Sequence, residues 1–235
     1  MRKKHNFLNK LLLILLSIIF IIFVIFYIYS LDYYRADNKA KGLINNSSIT
    51  KEKNITIISQ NNNDDINIGL IFYPGGKVED ISYLPLLNKL SQYGITSFLV
   101  KMPFNLAVFN SNAADNIIKK YPNIDKWYIM GHSLGGAMAS SYTKKNYDKL
   151  DGLILLAAYP LNNALDNTLC IYGSNDYILD QSKLDNVKNK YIIEGGNHAY
   201  FGNYGEQKGD GISGISRDRQ QEITINLITN NIIQH

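Results

Sequence analysis

The sequence predicts an α/β fold, in which helices flank a mainly parallel sheet and one N-terminal apolar helix precedes it. Strand-like and helix-like segments alternate along most of the 235 residues, which is typical of a parallel sheet covered on both faces. Residues 11–31 contain no charged side chain. A serine between glycines, Ser133, lies between a strand-like and a helix-like segment.

The N-terminal residues predict a membrane segment. Residues 1–10 carry four basic side chains and no acidic one, and residues 11–31 are uncharged. As a helix, this run would rise about 31 Å, close to the hydrocarbon thickness of a bilayer. The apolar core of a cleaved signal peptide is shorter, about 7–15 residues. We therefore expect an uncleaved transmembrane signal anchor, with a cleaved signal peptide as the alternative.

The basic N-terminus also predicts topology. Basic residues favour the cytoplasmic side, so residues 1–10 are expected to form a cytoplasmic segment. The chain would then be a single-pass protein of the cell membrane with its folded domain outside the cytoplasm. Residues 32–53 are polar and are expected to form a linker. Residues 54–235 are expected to form the domain.

The charge distribution argues against nucleic-acid binding, and the cysteine content excludes a disulfide within the chain. The net charge is +4, and the first ten residues hold four of the 24 Lys and Arg and none of the 20 Asp and Glu. The rest of the chain is therefore neutral, which gives no electrostatic basis for binding nucleic acid. Cys170 is the only cysteine, so no disulfide forms within the chain, and its apolar neighbours predict a buried thiol.

The domain is predicted to contain seven strands and five helices. The helix at 81–93 is predicted from apolar residues at helical spacing, such as Ile81 and Leu84. Pro122 is expected to end the helix at 113–121. The strands are expected at 55–58, 68–73, 95–100, 126–130, 152–157, 168–173 and 191–194, and the helices at 81–93, 113–121, 134–147, 181–190 and 217–233. Ligands of such sheets bind at the carboxyl ends of the strands.

Ser133 is interpreted as a catalytic nucleophile. It occupies Gly131-His132-Ser133-Leu134-Gly135, at the end of one predicted strand and the start of a helix. This context is that of a nucleophile elbow, a strained turn in which small glycines let the serine hydroxyl project from the sheet. The alternative is a glycine-rich turn with an incidental serine.

A serine nucleophile needs a base, and histidine is suited to that role. The chain has four histidines. His5 precedes the apolar run, His235 is the last residue, and His132 is expected to pack or bond locally within the elbow. His198 follows the last predicted strand and is therefore the candidate base, although a histidine in a surface loop is the alternative.

The base needs an acid, which in this order of residues lies between the serine and the histidine. Asp176 is the candidate because it follows the carboxyl end of the strand at 168–173. It would stabilise the imidazolium and fix its tautomer. Asp180 is the second choice. The other acids considered in this interval are Asp148, Asp151, Asp166, Asp185 and Glu194.

A tetrahedral oxyanion needs two hydrogen-bond donors. The first is expected to be the backbone N–H of Leu134, directly after the nucleophile. The second is expected from the loop after the strand at 68–73, from Gly76 or Lys77; the alternative is that Pro74-Gly75-Gly76 is simply a turn. A phosphate-binding loop is disfavoured because its terminal Lys-Ser/Thr is missing. No metal and no cofactor are expected; the residues around Asp210 read as a loop.

The motifs together resemble the α/β-hydrolase superfamily and, more narrowly, small bacterial α/β-hydrolases without a cap domain that are related to dienelactone-hydrolase-like proteins. The matching stretches are residues 72–79, 100–109, 131–137, 173–176 and 195–205. The resemblance implies a serine hydrolase with catalytic Ser133, Asp176 and His198. Dienelactone hydrolases have a cysteine where this chain has serine. The short connection at 159–167 leaves no room for a cap.

The resulting hypothesis is a membrane-anchored serine hydrolase that cleaves a carboxylic ester through an acyl-enzyme. Its substrate would be a small molecule or an ester displayed on a larger surface. An acyltransferase or thioesterase with the same three residues is an alternative. Another alternative is a catalytically silent binding module on the same fold.

Overall fold

The computed structural model describes residues 2–60, 67–161 and 167–233, with side chains from residue 7 onward. The chain divides into two units, Met1–Tyr33 and Tyr34–His235. The first unit contains helix α1, Arg2–Leu31. Its stretch Phe7–Leu31 is long and apolar enough to cross a membrane, and its large apolar side chains are mostly exposed. A helix that is apolar on all sides is stable when lipid or protein surrounds it.

The second unit is built on one eight-stranded sheet with the strand order β1-β2-β4-β3-β5-β6-β7-β8. Strands β3 to β8 are parallel, and β1 and β2 join antiparallel at one edge. The strands are β1 Ile49–Lys51, β2 Ile55–Ile58, β3 Ile68–Tyr73, β4 Ile95–Val100, β5 Lys126–His132, β6 Gly152–Leu156, β7 Thr168–Gly173 and β8 Lys190–Ile193. The predicted mainly parallel sheet is confirmed.

Helices cover both faces of the sheet. The remaining helices are α2 Asn38–Gly42, α3 Leu84–Ser91, α4 Ala113–Lys120, α5 Leu134–Lys145 and α6 Arg217–Ile233. Alternate residues of a strand point to opposite faces, so Leu70 and Phe72 of β3 pack in the core under α3 and α6. Ile71 and Tyr73 pack in the core that includes α4 and α5. Strands β3 to β7 are therefore buried on both sides, as is usual in parallel sheets.

Two predicted helices are shorter in the structure. The segment predicted as helix 81–93 begins with a 3₁₀ turn at Asp80–Tyr83, and α3 starts only at Leu84. Pro85 favours this start because proline suits the first turn of a helix. The segment predicted as helix 181–190 forms only a 3₁₀ turn at Gln181–Leu184.

The prediction of a linker at 32–53 needs correction, because the second unit begins at Tyr34 and includes most of these residues. Tyr34 N–H donates to Lys77 O at 2.7 Å, and Glu79 N–H donates to Tyr34 O at 2.9 Å. Asp37 caps α2 by accepting from Ala40 N–H at 2.9 Å. Strand β1 pairs with β2. The polar composition had predicted a tether, but long-range backbone hydrogen bonds order these residues.

The second half of the sheet contains Cys170 and the short connection between β6 and β7. Cys170 is fully buried in β7, as predicted, and burial raises the pKa of its thiol to about 12. The connection from β6 to β7 runs from residue 157 to 167. Residues 162–166 of this connection, including the acid candidate Asp166, lie outside the described residues.

Candidate active site

Ser133 lies in a sharp turn between β5 and α5. Its backbone has φ 52° and ψ −121°, a conformation that side-chain-bearing residues adopt at a cost of about 1–3 kcal/mol. The turn is held by the N–H of Ser133, which donates to Leu156 O at 2.9 Å, and by Ala137 N–H, which donates to Ser133 O at 3.0 Å. The local geometry is therefore that of a nucleophile elbow.

Glycines around Ser133 allow α5 to approach the sheet closely. A Cβ atom on Gly135 would lie 2.1 Å from Tyr73 O and 2.3 Å from Pro74 O. A Cβ atom on Gly131 would lie 2.4 Å from the carbonyl carbon of Gly135. These are contacts with main-chain atoms, which cannot rotate away as a flexible side chain would. The glycines of the motif are thus explained by packing as well as by the turn.

Gly135→Ala is expected to destabilise the domain by about 3 kcal/mol, which would lower Tm by roughly 6–12 °C. The reason is the clash of the new methyl group with the main chain of Tyr73 and Pro74. Thermal unfolding followed by circular dichroism measures the change. Gly42→Ala is the matched control, since a Cβ there meets no atom within 4 Å. Equal Tm values for Gly135→Ala and the wild type would contradict this packing.

His198 and Asp176 form a buried pair. The Nδ1 atom of His198 lies 2.9 Å from Asp176 Oδ2 and 3.1 Å from Oδ1, and both side chains are at most 1% exposed. Asp176 Oδ1 also accepts from the N–H groups of Ile178 at 3.0 Å and Leu179 at 2.9 Å. A carboxylate can only accept, so Nδ1 of His198 carries a proton and donates. In the neutral ring, Nε2 is then the basic atom.

The basic Nε2 atom has no fixed partner. It is buried and makes no hydrogen bond within the described part of the chain. His198 and Ser133 line the same cavity, of about 320 Å³. The other lining residues are mainly apolar: Leu134, Ala137, Ala157, Ala158, Tyr159, Ile178, Leu179 and the acidic Asp180. A buried imidazole nitrogen without a hydrogen-bond partner lowers the stability of the fold, and a catalytic role is one explanation for such an atom.

Of the backbone N–H groups predicted as oxyanion donors, that of Leu134 belongs to a residue that lines this cavity. Leu134 is the first residue of α5, so its N–H has no acceptor within the helix. Gly76 packs against Leu134, because a Cβ on Gly76 would lie 2.8 Å from Leu134 Cδ2. The N–H of Lys77 instead donates to Asn105 O at 2.8 Å. Gly76 and Lys77 were the two candidates for the second oxyanion donor. Because the Lys77 N–H already donates to Asn105 O, the N–H of Gly76 is the better candidate.

Asp180, the second choice of acid, makes a hydrogen bond to Ser182 and none to His198. Its Oδ1 accepts from Ser182 Oγ at 2.6 Å, and it lines the cavity beside Ile178. Asp176 is the acid that contacts His198.

Asp210 holds the loop after β8 that carries His198, here called the histidine loop, and was not predicted to do so. Its carboxylate accepts from the N–H of His198 at 3.1 Å and from that of Ala199 at 2.8 Å. Gln220 of α6 holds the preceding residue, accepting from Asn197 N–H at 3.0 Å and donating to Asn197 O at 2.8 Å. These contacts join residues more than ten positions apart, and sequence spacing carries no signal for them.

His132 was expected to bond or pack locally, and it bonds instead to distant residues. Its Nδ1 lies 2.8 Å from Tyr83 Oη, and its Nε2 lies 3.0 Å from His198 O. Burial lowers the pKa of His132 well below its usual value, and the proximity of the ionisable His198 lowers it further. The His132 ring is therefore neutral at physiological pH.

Comparison with known proteins identifies a family that matches this chain. A family model described as the alpha/beta hydrolase family matches residues 69–222, more than half of the chain. No curated protein matches the chain in sequence.

Solved structures show the same fold at low sequence identity. A "predicted CIB-like hydrolase" from Thermoplasma acidophilum is 17% identical with a TM-score of 0.57, covering 77% of this chain and 98% of its own. Est1E from Butyrivibrio proteoclasticus is 14% identical with a TM-score of 0.55, covering 79% and 98%. A monoacylglycerol lipase from Paleococcus ferrophilus is 12% identical with a TM-score of 0.57, covering 77% and 100%.

Proposed function

Because the chain belongs to the alpha/beta hydrolase family, we propose that it is a membrane-anchored serine hydrolase that cleaves carboxylic esters. One observation carries the proposal. The buried Nε2 of His198 has no hydrogen-bond partner among the described residues, and it lies in the cavity that Ser133 lines. Asp176 holds the opposite nitrogen of that ring. This is the arrangement that activates a serine.

The reaction begins with attack on the ester carbonyl. Ser133 Oγ forms a bond to the carbonyl carbon, and its proton passes to His198 Nε2. The imidazolium so formed carries a positive charge in a buried site, and the Asp176 carboxylate stabilises it from Nδ1. The carbonyl oxygen becomes an oxyanion. The N–H groups of Leu134 and Gly76 are the donors that stabilise it.

The second half of the reaction returns the enzyme to its starting state. The tetrahedral intermediate expels the alcohol, which takes the proton from His198 Nε2, and leaves the acyl group on Ser133 Oγ. Water then attacks the acyl carbon while His198 Nε2 accepts a proton from it. Collapse of the second intermediate releases the acid and returns the proton to Ser133.

The N-terminal helix supplies the anchor in this proposal. Phe7–Leu31 suits a membrane span in length and composition, and the basic residues before it favour a cytoplasmic N-terminus. The domain would then face the outside of the cell and act on small-molecule or surface-displayed esters. Protease added to intact cells should digest the domain; full protection would contradict this topology.

The proposal also places the chain among the small members of the family that lack a cap domain and are related to dienelactone-hydrolase-like proteins. Support comes from the connection between β6 and β7, where a cap would be inserted. β6 ends at Leu156 and β7 begins at Thr168, too short an interval for a further domain.

Ester turnover by the full-length protein in detergent tests the proposed activity. Wild-type protein should release p-nitrophenol from short-chain p-nitrophenyl esters, and His198→Ala should lose this turnover because Ser133 would have no base. His5→Ala, outside the domain, is the control and should retain it. A folded wild-type protein without turnover on any ester, acetate to octanoate, would contradict the proposal.

A further inference from the structure

A buried chain of hydrogen bonds joins three loops of the candidate site. Gly75 N–H donates to Tyr83 Oη at 3.1 Å, Tyr83 Oη lies 2.8 Å from His132 Nδ1, and His132 Nε2 lies 3.0 Å from His198 O. All three contacts are buried. Gly75 directly precedes Gly76, and His132 directly precedes Ser133. The hydrogen-bond chain therefore links the loop after β3, which contains Gly75 and Gly76, to the elbow at Ser133 and to the main chain of His198.

The direction of each hydrogen bond follows from the groups involved. The carbonyl of His198 can only accept, so Nε2 of His132 carries the proton. The ring is neutral, because burial lowers the pKa of His132 well below its usual value, so Nδ1 has a free lone pair. Tyr83 must then donate its hydroxyl proton to Nδ1 while its oxygen accepts from Gly75 N–H. Tyr83 and His132 thus each accept one hydrogen bond and donate one, Gly75 N–H only donates, and His198 O only accepts.

The packing around the hydrogen-bond chain leaves it little freedom. A Cβ on Gly75 would lie 2.7 Å from His132 Nδ1 and 2.9 Å from Tyr83 Oη, so both side chains lie directly against the main chain of the loop. Tyr83 and His132 are at most 1% exposed. The ring of Phe72 lies 4.6 Å from that of Tyr83. Buried, fully paired networks of this kind make a site rigid.

The hydrogen-bond chain also completes the fixation of His198. Asp210 accepts from its N–H, Asp176 accepts from its Nδ1, and His132 donates to its carbonyl oxygen. The ring of His132 lies 4.7 Å from that of His198, centroid to centroid. The only polar atom of His198 left without a partner among the described residues is Nε2, the atom that must accept the proton of Ser133.

We propose that Tyr83 and His132 are positioning residues, whose buried hydrogen-bond chain sets the spacing between the oxyanion donor, the nucleophile and the base. This inference rests on the proposed function. Neither side chain contacts the reacting atoms in this scheme; both act through the main chain of Gly75 and His198. An error of about 1 Å in such a spacing lowers a rate by about a hundred-fold.

Steady-state kinetics of the full-length protein with p-nitrophenyl acetate tests the proposal. Tyr83→Phe and His132→Leu should lower kcat about ten- to hundred-fold with KM changed less than about two-fold, because alignment rather than substrate binding is lost. His132→Gln should restore part of the kcat lost in His132→Leu, because its side-chain amide can still donate towards His198 O.

Tyr73→Phe is the matched control. Tyr73 is also fully buried, and its hydroxyl also makes two hydrogen bonds, to Ser111 O at 2.9 Å and from Ala114 N–H at 3.0 Å. It should lose similar stability, measured as Tm, and keep kcat within about two-fold of the wild type, because its partners lie outside the hydrogen-bond chain. The proposal is overturned if Tyr83→Phe keeps the wild-type kcat, or if Tyr73→Phe loses as much.

A spectroscopic readout keeps the test independent of turnover and of variants that fail to fold. In ¹⁵N-histidine NMR of the wild-type protein, His132 should carry its proton on Nε2 and should not titrate between pH 5 and 8. Its signal is assigned in the wild-type protein itself, through correlations from the imidazole ring to the assigned backbone of His132. A His132 that titrates near its usual pKa, or that is protonated on Nδ1, overturns the hydrogen-bond chain. Absent wild-type turnover would instead contradict the proposed function.

Discussion

Replacing Ser133 by alanine is expected to lower kcat for ester hydrolysis by about a million-fold. The loss is this large because no other group can form the acyl bond once Oγ is removed. The backbone should be little affected, since the strained turn is held by main-chain hydrogen bonds to Leu156 and Ala137. Hydrolysis of p-nitrophenyl acetate by the purified full-length protein measures the change.

Ser141→Ala is the control for that experiment. Ser141 lies on the same helix, α5, but does not line the cavity, so kcat should remain at the wild-type value. Turnover by Ser133→Ala within about ten-fold of the wild type would exclude Ser133 as the nucleophile, whatever the control shows.

Asp176→Asn is expected to lower kcat by about ten-thousand-fold. The Oδ1 position accepts from the N–H groups of Ile178 and Leu179, so the amide oxygen of an asparagine must occupy it. The NH₂ group then faces His198 Nδ1 and can only donate. His198 must in turn carry its proton on Nε2, where it cannot accept the proton of Ser133.

Asp180→Asn separates the two acids that the sequence proposed. Asp180 lines the cavity but bonds to Ser182 rather than to His198, so its variant should lose far less of kcat than Asp176→Asn. Steady-state kinetics at a fixed pH of 8 compares the two. A larger loss in Asp180→Asn would contradict the assignment of Asp176 as the acid.

The parts of the site that could be predicted from sequence are those with a local signature. The strained turn at Ser133 requires small residues on both sides, and Gly131 and Gly135 are visible in the sequence. Asp176 and His198 follow strand ends, and the carboxyl ends of parallel strands meet at one edge of the sheet. Their positions after these strand ends, together with their order along the chain, therefore predicted that they would lie together, as they do in the structure.

The parts that could not be predicted depend on contacts between distant residues. Tyr83 reads as an ordinary apolar position of a helical segment, and nothing in its neighbours indicates a hydrogen bond to His132, 49 positions away. Asp210 reads as a loop residue, yet it holds two N–H groups of the histidine loop. Residue type does not reveal whether a loop N–H is occupied, so Gly76 and Lys77 could not be separated.

The segment at 32–53 was also mispredicted because its order depends on contacts with distant residues. Its many polar residues are typical of a tether, but polar side chains and main-chain groups also form hydrogen bonds when a partner lies near. Asp37 accepts from Asn203 Nδ2 at 3.0 Å, and Ala36 N–H donates to Glu79 at 2.8 Å. Composition records the polarity of such a segment and not the partners that order it.

Localisation of a fluorophosphonate adduct by mass spectrometry tests the central claim most directly. The reagent is attacked by an activated serine, loses fluoride and leaves a stable phosphonyl group on the oxygen. The native full-length protein should gain one such group, on the peptide that contains Ser133, and Ser133→Ala and the denatured protein should gain none. A folded wild-type protein that stays unlabelled, or that is labelled on another residue, would contradict the account.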